Sequence, residues 1–418
     1  MHYFSYVNGE LYCEGISLRR LADEVGTPAY IYSKATLERH FKAFDEAFLD
    51  VDHLVCFSVK ANSNLSILRL FAKLGAGFDI VSGGELFRAM KAGADPAKIV
   101  YSGVGKTRDE MRTALKTGIL MFAIESFQEL EELNRQAGNL NLKAPIALRV
   151  NPDVDPKTHP YISTGMKQHK FGIDIAEALE GYKKASSLSN IEVVGVTCHI
   201  GSQLTEISPF IDSFRRLKGL VEKLRNDGHC ISYVSLGGGL GITYKDESPP
   251  HPKEYARALI KEAEGLNAKL IFEPGRVIVG NSGILLTRVL YTKETVDKRF
   301  IIVDGGMNDL IRPSLYKAYH EILKITESEK SLRVVADVVG PICESGDFFA
   351  RERELPEFKP GDLMAVMSAG AYGFSMASNY NSRPRPPEVL VHGDEYTIVR
   401  RRETYEDIVA HEFPLMDV

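Results

Sequence analysis

One lysine and two glycine-containing segments have residue types that could do chemistry. Lys60 directly follows the mostly apolar run at residues 54–59, in the sequence FSVKAN. The segments GGGLG at 237–241 and EPGR at 273–276 each follow a short apolar run much later in the chain. An amine can react with an aldehyde, and glycines let backbone N–H groups approach an anion such as phosphate. A lysine in this position could equally extend to solvent from a strand end, so the surrounding elements must decide.

The apolar pattern indicates how the chain positions these residues. Short β-rich runs alternate with amphipathic helical stretches, and the eight runs are LVCFSV at 54–59, FDIV at 78–81, IVYS at 99–102, MFAI at 121–124, PIALRV at 145–150, VVGVTCHI at 193–200, SYVSL at 232–236 and KLIF at 269–272. Eight strands, each followed by a helix over about 230 residues, are typical of a closed parallel (β/α)8 barrel. An open doubly wound sheet is the alternative, but the count of eight and the lack of a GxGxxG segment after the first strand disfavour it.

After about residue 280 the pattern changes to short β-rich stretches with few long helical repeats. We therefore predict an α/β fold with a TIM-like barrel at residues 30–280. A β-sheet or β-barrel domain at residues 281–418 would include residues 1–29. The opening segment carries a hairpin signal at Asn8-Gly9, and signals for a helix that begins near Ser17 and ends at Gly26. The hairpin is a candidate to complete the sheet of the β domain.

The barrel hypothesis gives the chemical residues a common location. Active sites of such barrels lie at the carboxyl ends of the strands, and phosphate commonly binds at the loops after strands seven and eight. The segments at 237–241 and 273–276 follow those two strands, and Lys60 ends strand one. A phosphate anchor facing an amine is what pyridoxal 5'-phosphate requires, and Glu273 could keep its ring nitrogen protonated. Glu273 could instead form a structural ion pair with Arg276.

Other strand ends are polar as well. His199, after the sixth strand, could stack on the cofactor ring, and Ser202 could donate a hydrogen bond to the phosphate. Asp79 could interact with the lysine, and Arg149 closes strand five. His199 could instead be a histidine satisfied in the core, and Asp79 and Arg149 could be ordinary polar residues of the barrel interior.

Composition narrows the class of protein. The chain has 51 Lys and Arg against 56 Asp and Glu, and the basic residues are scattered, which disfavours a nucleic-acid partner. The sequence shows neither a signal-peptide pattern nor an apolar run of about 18 residues, so we predict a cytoplasmic protein without a membrane partner. Five cysteines, far apart and odd in number, support neither a disulfide framework nor a metal site.

The motifs also resemble a known family. SVKAN around Lys60, DIVSGGE at 79–85, CHIGSQ at 198–203, GGGLG and EPGR are similar, in order, to those of the alanine-racemase-like pyridoxal-phosphate enzymes. Three more motifs resemble the diaminopimelate decarboxylase family within it, and they are MNDLIRPSLYKAYH at 307–320, GPICESGD at 340–347 and SAGAYGFSMASNYN at 368–381. The resemblance covers essentially the whole chain.

This resemblance implies decarboxylation of meso-2,6-diaminopimelate to L-lysine and carbon dioxide, the last step of lysine biosynthesis. The predicted catalytic residues are Lys60, Cys343 and His199. The predicted cofactor-binding residues are Lys60, Asp79, His199, Ser202, Gly238, Gly239, Glu273, Gly275, Arg276 and Tyr372. The predicted substrate-binding residues are Arg276, Arg312, Tyr316, Glu344 and Tyr372. The resemblance further implies a homodimer in which Cys343 and Glu344 reach the partner's Lys60.

Within this interpretation Arg276, Arg312 and Tyr316 hold the distal carboxylate, Glu344 holds the distal ammonium, and Cys343 or Lys60 returns a proton to the reacting carbon, with Cys343 the preferred donor. The closest rival function is a decarboxylase for ornithine, arginine or another diamino acid, whose substrates lack a distal carboxylate. Compared with a decarboxylase, three other functions are less favoured by these residues: an amino-acid racemase, a non-catalytic pyridoxal-phosphate protein and a phosphosugar-processing barrel. The segment at 151–172 is predicted to be an active-site loop.

Overall fold

The computed structural model describes residues 2–154, 170–327 and 332–413. Most of the predicted active-site loop, residues 155–169, lies outside the described residues. The chain divides into two compact units. The barrel unit comprises Glu38–Thr243 and Glu247–Ile278, and the β unit comprises Met1–Leu37, Tyr244–Asp246 and Val279–Val418.

The N-terminal segment begins with a hairpin and a short helix. Its elements are β1 (Phe4–Val7), β2 (Glu10–Cys13), β3 (Ile16–Ser17), α1 (Leu18–Val25), β4 (Ala29–Ser33) and α2 (Lys34–Asp45). The turn at Asn8-Gly9 has positive φ at both residues, as a tight hairpin requires. The Ser17 side chain accepts hydrogen bonds from the first N–H groups of α1, and Gly26 ends the helix with φ of 80°. The predicted hairpin and helix are confirmed.

The barrel unit alternates strands and helices. Its elements are β5 (His53–Ser58), α3 (Leu65–Lys73), β6 (Gly77–Ile80), α4 (Gly83–Ala92), β7 (Ile99–Tyr101), α5 (Arg108–Thr117), β8 (Met121–Ile124), α6 (Phe127–Asn139), β9 (Ala144–Asn151), β10 (Ile173–Asp174), α7 (Ala178–Ser187), β11 (Ile191–Thr197), α8 (Ser208–Asn226), β12 (Tyr233–Ser235), α9 (Pro252–Ala263), β13 (Lys269–Phe272) and α10 (Arg276–Val279). Eight parallel strands form a ring, closed where β13 pairs with β5, and β10 adds to β9 outside that ring. The predicted barrel is confirmed.

Strand register positions the polar side chains. In the parallel pairing of β5 with β6, Ser58 lies opposite Asp79. In the neighbouring pairs, Ser235 of β12 lies opposite Thr197 and Ile271. All four residues of β6 and of β8 are buried, as expected for strands covered on both faces. Polar residues in such strands must find partners inside the ring.

The β unit is built around one long strand. Its remaining elements are β14 (Gly283–Glu294), β15 (Arg299–Val303), α11 (Arg312–Tyr316), β16 (Ile322–Lys324), β17 (Arg333–Val339), β18 (Phe348–Pro356), β19 (Leu363–Val366), β20 (Glu388–His392), β21 (Glu395–Arg400) and α12 (Tyr405–Val409). The main sheet has the order β18-β17-β15-β14-β4-β20-β21, and β19 pairs with β14 and β16. A separate β domain was predicted, and the structure contains one.

The N-terminal hairpin, a candidate to complete this sheet, adjoins the segment after β16, where the Leu11 N–H donates to the Ile325 carbonyl and the Glu327 N–H donates to the Gly9 carbonyl, each at 2.8 Å. Strands β1 to β3 form a three-stranded sheet of their own, and it is β4 that lies between β14 and β20. The burial patterns explain the difference. Every residue of β4 is buried, as in a central strand, whereas buried and partly exposed residues alternate along β2. Among the helices in the part of the chain that the structure describes, none could cross a membrane.

Candidate active site

Lys60 lies at the carboxyl end of the first barrel strand. It stands in a short helical turn, Val59–Ala61, directly after β5. Its Nζ donates to Oδ2 of Asp79 at 2.5 Å, and the Ser58 hydroxyl lies 2.8 Å from the same oxygen. The Asp79 side chain is fully buried, while that of Lys60 is 40% exposed. The lysine is therefore anchored to the barrel interior through its amine while its side chain stays partly exposed, which distinguishes it from a surface lysine.

Glu273 is a second buried carboxylate at the same end of the barrel. It follows β13, and Ser235 donates to its Oε1 at 2.6 Å. Burial, followed by the negative charge of Asp79, raises the pKa of Glu273. Two carboxylates thus lie in a region of low dielectric, where a further cation would stabilise both ionised forms. A protonated pyridine nitrogen is such a cation, so this cluster fits pyridoxal phosphate.

The glycine segment after β12 is held by tight packing against two other strand-end loops. Gly237 and Gly239 have φ of 67° and 118°, which L side chains rarely adopt. A Cβ on Gly238 would lie 2.2 Å from the Glu273 carbonyl oxygen, and one on Gly239 would lie 2.5 Å from that of Gly201. The loops after β11, β12 and β13 are therefore in contact through backbone that only glycine permits.

His199 lies between these loops as a neutral ring. The backbone N–H of Gly238 donates to its Nδ1 at 3.2 Å, so the proton of the neutral imidazole is assigned to Nε2. Burial, with the positive charges of Arg149 and Lys60, holds the pKa of His199 well below its usual range. The ring is therefore suited to stacking on an aromatic cofactor rather than to carrying a positive charge.

Arg149 pairs with a residue that the sequence reasoning missed. Its Nη1 lies 2.8 Å from Oε1 of Glu125, and both side chains are almost fully buried. Glu125 also accepts from the N–H of Gly103 at 3.1 Å and from that of Gly172 at 2.8 Å. The carboxylate therefore joins three strand-end loops. Its position directly after the predicted strand MFAI was an available signal.

The remaining cofactor candidates lie on the same loops. Ser202 follows β11 and is half-buried. Gly275 precedes α10, and its carbonyl accepts from the N–H of Ile278 at 3.1 Å. Arg276 begins α10 and is buried. The structure thus brings loop 198–203 together with the glycine segment and Glu273, while the predicted phosphate contacts of these residues stay predictions.

In the β unit, Arg312 begins α11 and is buried. Its Nη1 lies 2.8 Å from Nε2 of His320, and its guanidinium carbon lies 4.6 Å from the centre of the Tyr244 ring. Tyr316, at the end of the same helix, is half-buried. Arg312 is therefore in contact with His320 of its own motif and with Tyr244, which lies outside that motif. Neither His320 nor Tyr244 was among the predicted site residues.

Cys343 and Glu344 are exposed in the connection between β17 and β18. The Cys343 N–H donates to Oδ1 of Asn381 at 2.7 Å. Buried Asp347 accepts from the N–H groups of Ile342 and Met307 at 2.6 and 2.7 Å. These hydrogen bonds fix the backbone of the connection, while the Cys343 thiol and the Glu344 carboxylate belong to exposed residues. This placement suits residues that act on another chain.

Tyr372 lies on the third family motif of the β unit. It is half-buried and has φ of 55°, a left-handed conformation that is strained for a tyrosine. Strained backbone of this kind is maintained only when surrounding structure fixes it, and it often occurs at functional sites. The proposed contact of Tyr372 with cofactor and substrate stays a prediction.

Comparison with known proteins identifies the family. Residues 34–280 match the model described as "Pyridoxal-dependent decarboxylase, pyridoxal binding domain". The diaminopimelate decarboxylase of Pseudomonas aeruginosa is 55% identical over 412 residues, which cover 99% of each chain. The chain belongs to the diaminopimelate decarboxylase family. The Aquifex aeolicus member is 52% identical and matches 100% of this chain and 98% of its own.

Solved structures of this decarboxylase family have the same architecture. The Helicobacter pylori diaminopimelate decarboxylase complexed with L-lysine has a TM-score of 0.91 at 45% identity, over 94% of this chain and 99% of that one. The enzyme from M. jannaschii in co-complex with L-lysine has a TM-score of 0.93 at 40% identity, over 98% of both chains. The predicted family, the carboxy-lyase class and the pyridoxal-dependent barrel fold are confirmed.

Proposed function

We propose that this protein decarboxylates meso-2,6-diaminopimelate to L-lysine and carbon dioxide, with pyridoxal 5'-phosphate bound at Lys60. Full-length identity to diaminopimelate decarboxylases supports the reaction. The observation that carries the cofactor assignment is the Lys60 amine, 2.5 Å from buried Asp79 and on the same barrel end as Glu273. This arrangement combines a partly exposed lysine with carboxylates that favour a cationic ring.

The barrel unit supplies the groups for cofactor binding. When bound, pyridoxal phosphate accepts the electron pair that remains on the reacting carbon after carbon dioxide leaves. Glu273 would hold a proton on the ring nitrogen, and the neutral His199 ring would stack on the cofactor. Backbone N–H groups of Gly239 and Gly275, with Ser202 and Arg276, would bind the phosphate, and Gly238, whose N–H donates to His199, would allow the loop to approach it.

The β unit supplies the groups that recognise the substrate. Arg312 and Tyr316, which share α11, bind the distal carboxylate together with Arg276. Glu344 binds the distal ammonium group, and Tyr372 contacts cofactor and substrate. A decarboxylase for ornithine or arginine would give these arginines no carboxylate to bind, because those substrates have none at the distal end.

We further propose that the enzyme is a homodimer with shared sites. Cys343 and Glu344 lie on an exposed connection, which allows them to reach the partner's Lys60. Cys343 then returns a proton to the reacting carbon. The alternative donor is Lys60, whose amine Asp79 orients.

Carbon dioxide release from meso-diaminopimelate tests the reaction, with L-ornithine and L-arginine as comparison substrates. Lys60→Ala should abolish turnover and the absorbance of the lysine-linked cofactor, while Lys183→Ala, on the exposed face of α7, should change neither. Fast turnover of ornithine or arginine would overturn the substrate assignment. Full activity of Lys60→Ala would overturn the cofactor site.

A further inference from the structure

Two aromatic side chains contact the Arg312 guanidinium. His320 Nε2 lies 2.8 Å from Arg312 Nη1, and the Tyr244 ring lies under the guanidinium with its centre 4.6 Å from the guanidinium carbon. His320 and Tyr244 also contact each other, edge to face, with ring centres 5.4 Å apart. Arg312 is 5% exposed and His320 is fully buried.

The hydrogen bonds fix the protonation of His320. A guanidinium has donors but no acceptor, so the bond to Arg312 requires a lone pair on Nε2. The imidazole proton is then on Nδ1, which lies 2.7 Å from the carbonyl oxygen of Met367 and donates to it. Both ring nitrogens are satisfied by this one neutral tautomer. His320 therefore orients Arg312 without cancelling its charge.

We propose that His320 and Tyr244 act as a positioning clamp that fixes Arg312 for the amino-acid head of the substrate that does not react. An arginine side chain has many rotamers, and ordering it only on binding would cost affinity. A guanidinium already held by a hydrogen bond and an aromatic ring avoids that cost and presents its fork in one orientation. This inference rests on the proposed function, in which Arg312 binds the distal carboxylate.

The chemistry of the product provides a selective probe. L-lysine retains the amino-acid head that does not react, whereas 1,5-diaminopentane has the same chain with no carboxylate. Inhibition of meso-diaminopimelate turnover by these two compounds therefore separates carboxylate recognition from recognition of the amines. A clamp defect should weaken inhibition by L-lysine and leave inhibition by the diamine unchanged.

Two matched pairs of variants test the clamp in the holoenzyme. His320→Asn retains a donor for the Met367 carbonyl but loses the acceptor for Arg312, and His320→Gln retains that acceptor. Tyr244→Leu removes the aromatic face, and Tyr244→Phe retains it. We expect the first member of each pair to raise the KM for the substrate and the Ki for L-lysine by about tenfold or more, with kcat within about threefold of wild type. The second members should stay near wild type.

Several outcomes would overturn the clamp. One is unchanged L-lysine inhibition in a folded, cofactor-loaded His320→Asn or Tyr244→Leu enzyme. Another is equal loss in both members of a pair, or a parallel rise of the Ki for the diamine. If one disruptive variant does not fold, the other pair decides. Failure of the wild-type enzyme to turn over meso-diaminopimelate would instead refute the proposed function.

Discussion

Asp79 and Glu273 place two buried carboxylates near the Lys60 amine. Their environments differ, because Asp79 accepts from Lys60 and lies 2.8 Å from the Ser58 hydroxyl, whereas Glu273 accepts from Ser235 at 2.6 Å. Asp79 is thus paired with a cation in the structure. Glu273, with its raised pKa, is the carboxylate that gains most from a cofactor cation.

Glu273→Gln should separate catalysis from cofactor binding. Glutamine can still accept from Ser235 but cannot stabilise a positive ring nitrogen, so kcat should fall about 100-fold or more while cofactor content stays near that of wild type. Single-substrate kinetics and cofactor absorbance measure the two effects. Ser235→Ala, which leaves the carboxylate in place, should reduce kcat less. A Glu273→Gln enzyme with a normal kcat would contradict the assigned role.

The sequence could identify the residues at the strand ends but not the residues that hydrogen-bond to them. Lys60 and Glu273 directly follow apolar runs, and a barrel places such residues on one face. Ser58 and Ser235 are the last residues of β5 and β12, and only the register and the hydrogen bonds reveal a carboxylate as the partner of each. His320 was part of a quoted motif, but its tautomer depends on Met367, which is distant in sequence.

At the scale of elements, three strand-end loops depend on glycine backbone. The loop at 237–241 packs against the Glu273 carbonyl and against Gly201 with no space for a Cβ. Glycine sequences alone indicated a turn with anion-binding potential. Glycine is required there because the loops that contain Gly201 and Glu273 pack against this segment. Only the closed ring of strands brings those loops together.

Gly238→Ala should therefore weaken cofactor binding. Its Cβ would lie 2.2 Å from a backbone oxygen, so the loop must move away from Glu273 and the apparent cofactor Kd should rise at least about tenfold. The matched control is Gly219→Ala in α8, where an added Cβ meets nothing within 4 Å. Alanine there should keep the cofactor Kd and raise stability by about 0.5–1 kcal/mol. Cofactor titration and thermal unfolding measure both variants.

Element prediction succeeded where periodicity and burial agree. The runs MFAI and KLIF match β8 and β13 residue for residue, and the other barrel strands shift by one to three residues at their ends. The hairpin sequence indicates pairing within itself and contains no information on its other neighbours, so its backbone hydrogen bonds to Ile325 and Glu327 could not be predicted. The sequence AYIYS of β4 has no polar alternation, and this is what a central strand shows.

For the whole molecule, stability should depend on pH through Asp309. Burial raises its pKa to about 7, against about 3.9 in an unfolded chain. Between these values the unfolded state loses a proton that the folded state keeps. The contribution is therefore fully present below about pH 4 and is lost as the pH rises through about 7.

Asp309→Asn removes this titration. Relative to the variant, the wild type should lose up to about 1.4 kcal/mol of unfolding free energy per pH unit within that window. Thermal unfolding of both proteins from pH 4 to 8 measures the difference. Asp394→Asn, at an exposed turn of the same unit, should run parallel to wild type. A constant difference between wild type and Asp309→Asn across the window would contradict the prediction.

A shared-site homodimer makes a quantitative prediction for mixtures. Lys60→Ala and Cys343→Ala dimers should each have low activity, since each lacks one contributor at every site. After dissociation and equal mixing, half of the dimers are mixed, and each mixed dimer has one intact site. Activity should therefore return to about a quarter of the wild-type level. No recovery, despite mass-spectrometric evidence of mixed dimers, would show that each chain completes its own site.

The position of β4 also affects how the protein is made. A ribosome releases Ala29–Ser33 before the barrel unit, yet both sheet neighbours of this strand, β14 and β20, follow the barrel in the chain. During translation the barrel can close while β4, with its apolar AYIYS sequence, remains unpaired because β14 and β20 have not yet been synthesised. An unpaired apolar strand is prone to pair with other chains. The nascent protein is thus most prone to aggregate between completion of the barrel and emergence of β20. During that interval the unpaired β4 is a binding site for a chaperone.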